Sequence, residues 1–283
     1  MARSPSSSAQ KAREALAARL KEAMRRAGLD GTRVAHAAGW HPSKSSRILT
    51  ATTLPSVSDI ETWCRLCGVP DAVEDLVAQM FAADEMYSVW KRRWRGGMAT
   101  DQATYGPQFR RHRRIKVYSA SVVPGFLQTF AYAQALLSTI ARFNGVPDHA
   151  DDAAAARLEW VQLVHEPGRT FAFLIEESVL HYQVGAPEDM ADQLVHLLTA
   201  MTWPAVSVGV IPMTAQRPDM WVQETFSLFD DARANVELLT AEINITTPSE
   251  VDGYTKAFTE LSKLAVYGAQ ARTLVGRAFS SLE

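Results

Sequence analysis

Residues 31–50, GTRVAHAAGWHPSKSSRILT, constrain the fold more than any other stretch. They read as two short helices, Thr32 to Ala38 and Pro42 to Thr50, with a turn at Gly39 between them. Helices joined this closely cross at a steep angle. The crossing needs a small residue, supplied by Ala35, and the turn needs one that tolerates positive φ, supplied by Gly39. Val34, Ala38 and Trp40 are expected to face inward from the first helix and turn, and Ile48 from the second. Pro42 suits the first position of the second helix, where its missing N–H costs nothing. Ser45 falls where an inward aliphatic is usual. Either its hydroxyl bonds a carbonyl of its own helix, or its small size leaves room for Trp40.

The outward set on the second helix is then Ser43, Lys44, Ser46 and Arg47, beginning at Pro42. Hydroxyls bond phosphates or base edges, and an arginine can bond guanine bidentately. The helix N-terminus points N–H groups at a phosphate. Arg33 stands where it can hold the DNA backbone beside the groove, with Arg25 or Arg26 as further phosphate contacts. The pattern predicts a DNA-binding helix-turn-helix. The competing reading is a plain helical bundle with the same spacing by chance.

Charge is distributed to match. Residues 1–116 hold 20 Lys/Arg against 11 Asp/Glu, whereas residues 117–283 hold 9 against 20. A basic first part joined to an acidic remainder predicts that the first part meets a polyanion.

Along the chain, residues 1–8 read as a disordered tail and 9–95 as an all-α DNA-binding domain. Its first helix carries an apolar stripe of Leu16, Leu20, Ala23 and Ala27. Ser56 with Asp59 resembles a capping box opening a helix from Val57 to Cys67. Asp71 to about Arg95 reads as one or two further helices. Residues 96–113, with Gly96, Gly97, Gly106, Pro107 and a basic cluster at Arg110, Arg111, Arg113 and Arg114, read as a linker. Residues 114–283 read as a regulatory and dimerisation domain of α+β class with a mainly antiparallel sheet. Its strand-like runs are Ile115–Val123, Thr170–Ile175, Val206–Ile211, Thr225–Phe229 and Val236–Leu239. Its helices are Thr129–Arg142, Ala150–Val164, Pro187–Met201 and a last one from Glu250 to Val266.

Other chemistry is weakly signalled. The only two cysteines form Cys64-x-x-Cys67. A structural zinc site needs about four ligands, and no second pair exists, so two core cysteines are expected and no metal or cofactor. Glu176 and Glu177 are paired carboxylates, but neighbours on a strand point to opposite faces. Pro124-Gly125-Phe126-Leu127-Gln128 either lines a ligand pocket or forms a tight turn anchored in the core. Trp90, Trp94 and Trp221 are open to the same two readings. No catalytic motif is present, and no enzyme is expected. No apolar run is long enough to span a membrane and the start lacks a signal-peptide pattern. A cytoplasmic, nucleoid-associated protein is the expectation.

The stretch from Ala12 to Val69 resembles the Xre/Cro-type, lambda-repressor-like helix-turn-helix domains. GWHPSKSSRILTATTLPS is similar to the form found in actinobacterial regulators, matching at Lys44, Ser46 and Arg47 and departing at His41, Pro42 and Leu49. The remainder resembles the Scr1-type antitoxin-like domain (DUF5753). Its best motif is VVPGFLQTFAYAQALL, residues 122–137, supported by 156–162, 173–185, 206–213, 226–230 and 254–265. Residues 108–114 are unusually basic for that group. The resemblance implies a regulator of development or secondary metabolism, acting on a double-stranded DNA operator as a homodimer. It also implies control through the C-terminal domain by a small partner protein, the antitoxin-like reading. A small-molecule effector is the alternative.

Overall fold

The computed structural model describes residues 7–85, 87–89, 94 and 97–282. The chain divides into two compact units, residues 1–88 with 243–245, and residues 89–242 with 246–283.

The first unit holds α1 (Ser7–Arg26), α2 (Gly31–Ala37), α3 (Pro42–Leu49), α4 (Val57–Leu66) and α5 (Val73–Glu85). Ser7 and Ser8 are already helical, so the polar start is shorter than expected. The buried face of α1 is Leu16, Ala17, Leu20 and Met24, while Ala27 lies past the helix end and is exposed. That face packs on Val34, Ile48, Ile60, Trp63, Cys64, Cys67, Leu76 and Met80. The Trp63 indole N–H satisfies its polar atom at the Leu20 carbonyl, 3.1 Å away, as a buried indole requires. Ser56 and Asp59 form the expected capping box. Both cysteines are free and buried in this core, where burial pushes their thiols above the ordinary value. Of the one or two helices expected from Asp71 to about Arg95, one is α5, which stops at Glu85, and a three-residue strand, β1 (Tyr87–Val89), follows. Of the rest of that stretch, residues 90–93 and 95, Trp90 included, lie outside the described residues.

The second unit contains α6 (Met98–Phe109), β2 (Arg114–Ser119), α7 (Phe130–Asn144), α8 (Ala150–Val161), β3 (Thr170–Glu176), α9 (Pro187–Ala200), β4 (Val206–Ile211), β5 (Phe226–Phe229), β6 (Arg233–Glu237), α10 (Pro248–Leu264) and α11 (Gly268–Ser280). A further strand, β7 (Ala241–Ile245), follows β6. The sheet is mixed rather than mainly antiparallel. β2 pairs parallel with β3, and β3 parallel with β4, while β2–β5 and β5–β6 are antiparallel. Connection length explains this. α7 and α8 lie between β2 and β3, and α9 between β3 and β4; such crossovers permit parallel pairing. β5 and β6 are joined by a tight turn with positive φ at Asp230 and Asp231, which forces an antiparallel hairpin. β3 is buried at five of its seven positions and half-buried at a sixth, the pattern of a strand covered on both faces.

Residues 96–113 are not a bare linker. α6 occupies most of them, and Met98 and Phe109 are buried. Phe109 stacks in an aromatic cluster with Phe126, Trp160 and Phe229. Gly106 and Pro107 suggested a break, yet tertiary burial of one helix face outweighs their local preference. The chain also continues beyond the last expected helix into α11, whose buried side is small: Ala271, Val275 and Ala278. Among the described residues no helix is long and apolar enough to cross a membrane.

Candidate nucleic-acid interface

The turn between α2 and α3 closes as the sequence requires. Gly39 takes φ +68°. Its amide donates to the His36 carbonyl and the Trp40 amide to the Ala35 carbonyl, at 3.2 and 2.8 Å, a Schellman ending. Val34 and Ala35 are fully buried and Ile48 nearly so. Ser45, the odd residue of the inward face, is buried, and its hydroxyl donates to the Gly31 carbonyl of α2 at 2.7 Å and the Pro42 carbonyl at 3.1 Å. It replaces an apolar contact with a bond that ties α3 to the start of α2.

The start of α3 is capped by a residue the sequence did not single out for this role. His41 is the N-cap, and its Nδ1 accepts the Ser43 amide at 3.3 Å and lies 2.9 Å from Ser43 Oγ. Pro42 occupies the first helical turn, as expected. His41 was hard to find because Ser, Thr, Asp and Asn are the usual caps.

The expected contact residues divide into two groups. Pro42, Ser43, Ser46 and Arg47 are exposed on α3, and Arg33 is exposed on α2. Arg47 Nε donates to the Ser43 carbonyl at 3.2 Å, which holds the stem while leaving both Nη groups without a partner among the described residues. Arg33 lies 3.8 Å from Asp30, the N-cap of α2. Lys44 departs from the outward set. Its Nζ is 2.6 Å from Asp59 Oδ1 and 4.5 Å from the centre of the Trp40 ring. Only 37% of its side chain is exposed, against 11% for Asp59. Burial opposes ionisation of Asp59, but hydrogen bonds from Lys44 and from Ser56 outweigh it and hold the carboxyl below its ordinary value. Lys44 therefore braces α3 against α4 through a charged pair that is half out of water.

The polar groups of the second unit that invited a catalytic or ligand-binding reading are bonded to one another. Glu176 accepts from the Tyr118 hydroxyl at 2.8 Å and from Arg217. Glu177 accepts the Met213 amide at 2.7 Å. The two carboxylates do not converge on a common point; both fasten the segment that follows β4. Burial and the neighbouring Glu176 push the Tyr118 phenol well above its usual range. Around the Pro124–Gly125 turn, the Val123 amide donates to Tyr132 Oη, and Gln128 Nε2 donates back to the Val123 carbonyl. Gln193 bridges the Leu127 carbonyl and the Thr129 amide. A Cβ on Gly125 would stand 2.7 Å from the Trp160 ring. The turn is a packed core anchor. Trp94 is buried and donates to Asp101, whereas Trp221 is 70% exposed. Among the described residues no group of three or more side chains is placed to hold a metal.

Residues 15–77 match a family described as a helix-turn-helix domain, the module of DNA-binding regulators. No curated protein and no solved structure matches the chain. Residues 110–277, more than half of the chain, match the family described as a domain of unknown function, DUF5753, and the protein belongs to that family.

Proposed function

We propose that the protein is a sequence-specific transcriptional regulator that places α3 in the major groove of an operator. The observation that carries this reading is the split of α3 into two faces. Ser45 and Ile48 are buried, while Ser43, Ser46 and Arg47 are exposed, the Ser43 hydroxyl meeting only His41 of the same turn and both Arg47 Nη groups having no partner among the described residues. In a helix-turn-helix the second helix presents such residues to base edges. Arg47 is assigned to base reading, Ser43 and Ser46 to base edges or phosphates, Arg33 to phosphate, and Lys44 to positioning the helix.

One such domain reads only a few base pairs, so a homodimer on paired half-sites fits the reading. The Xre-type resemblance and the DUF5753 unit together support a regulator of actinobacterial development or secondary metabolism, acting in the cytoplasm on the nucleoid and without enzymatic activity. Control enters through the C-terminal unit, from a small partner protein in the first instance. Genome-wide mapping of bound DNA tests the central claim: discrete enriched sites sharing a motif are expected, and their absence refutes it. Stoichiometric co-purification of a small protein from the native host tests the partner.

A further inference from the structure

We propose that the turn joining α6 to β2 is a second contact for duplex DNA, taking backbone phosphates on Arg111 and Arg113. The segment Arg110-Arg111-His112-Arg113-Arg114-Ile115-Lys116 holds five Lys/Arg at the entrance to a unit that is otherwise acidic. Its backbone is fastened from two directions. Asp230, in the β5–β6 hairpin, accepts the Arg113 and Arg114 amides at 2.9 and 2.8 Å and pairs with His112 Nδ1 at 2.9 Å. On the carbonyl side, the Arg169 guanidinium donates to Phe109, Arg110 and His112.

The basic side chains of this turn are not treated alike. Arg110 pairs with Glu166, and Arg114 and Lys116 share Asp231. Arg111 and Arg113 are exposed, and neither side chain has an ion pair or hydrogen bond among the described residues. Glu166, Asp230 and Asp231 are already engaged with the other cations and with the backbone. The result is a rigid turn carrying two uncompensated guanidinium groups two residues apart. Neither guanidinium has an anionic partner among the described residues, and a polyanion supplies one. The planar guanidinium fork suits a phosphate oxygen pair. DNA is the polyanion of choice because the α3 reading already brings the chain to a duplex, and the inference rests on that reading.

The test uses the full-length protein and a fluorescein-labelled duplex of mixed sequence, with binding followed by anisotropy across a KCl series. Each phosphate contact contributes about 0.9 to the slope of log affinity against log salt. The double variant R111Q/R113Q should therefore bind with a slope shallower by about 1.8, with an unchanged thermal melt. R111K/R113K should keep the wild-type slope. An unchanged slope in R111Q/R113Q overturns the proposal, as does an equal loss in R111K/R113K. The α3 variant S43A/S46A/R47A separates the two readings. If it loses binding while R111Q/R113Q does not, the helix-turn-helix reading survives alone. If wild type does not bind the duplex at any salt, both readings fall.

Discussion

The two units use their polar side chains in opposite ways. On α3, Ser43, Ser46 and Arg47 stand in solvent, and the groups that keep the helix in place lie behind them: Ser45, Asp59 and the half-buried Lys44. In the second unit, Gln128, Gln193 and Glu176 are buried and bonded within the fold. Both patterns look similar in a sequence, as clusters of polar residues near apolar ones. What distinguishes a recognition surface is donors left over after the backbone and neighbours are satisfied. By that measure the exposed Nη groups of Arg47 make α3 the candidate surface, whereas the Glu176–Glu177 pair and the Pro124–Gly125 turn are framework.

The comparison predicts stability losses without binding losses in the second unit, and the reverse on α3. The largest effect is expected for Glu176→Ala, which strands Arg217 and the Tyr118 hydroxyl in a mostly buried setting. Breaking such a pair costs about 3 kcal/mol, read as a lower urea midpoint, with DNA affinity of the folded protein intact. A change in DNA affinity of the folded fraction would break the contrast. Next, Arg47→Ala should weaken specific binding by about 1–3 kcal/mol, roughly 5- to 150-fold, and relax specificity at one base pair, with no change in melting. A gel-shift assay on a mapped site checks it, and unaltered affinity removes Arg47 from the reading face.

Smaller effects sharpen the positioning role of the residues behind α3. Asp59→Asn should cost about 1.5 kcal/mol near neutrality. Because the folded carboxyl titrates below its ordinary value, its contribution is complete above that value and is lost as pH falls through the depressed one. The gap between wild type and Asp59→Asn should therefore close in acid, measured by denaturation at a series of pH values. A gap independent of pH would mean that the charge on Asp59 does not matter. His41→Ala should cost about 1 kcal/mol through loss of the N-cap, and His41→Asn should restore most of it.

Much of the first unit was legible because its determinants are close in sequence. Gly39, Pro42, Ala35 and Ile48 all act within twenty positions, and the Ser56–Asp59 box within four. Lys44 reads as outward in the sequence because its partner is fifteen residues away on α4. His41 was missed because imidazole is an uncommon cap. In the second unit the individual strands β3, β4 and β5 were visible as apolar runs. Their directions were not, since an apolar run carries no sign of whether its neighbour is parallel. β7 was also missed: its Glu242 is buried and bonded to Asn235 of β6, whereas the sequence offers a charged residue that reads as surface.

By itself, the sequence determined the helix-turn-helix, its turn, its inward residues and the charge contrast between the two parts of the chain. These follow from local backbone preference and from periodicity, which act over a few residues. Only the tertiary structure decided the mixed sheet, the helix inside residues 96–113 and the fate of each polar side chain. Whether a lysine reads a phosphate or braces a helix depends on what lies within hydrogen-bonding reach, and those partners come from distant parts of the chain. Lys44 is held at Asp59, while Arg47, three residues on, is exposed and keeps both Nη groups without a partner among the described residues.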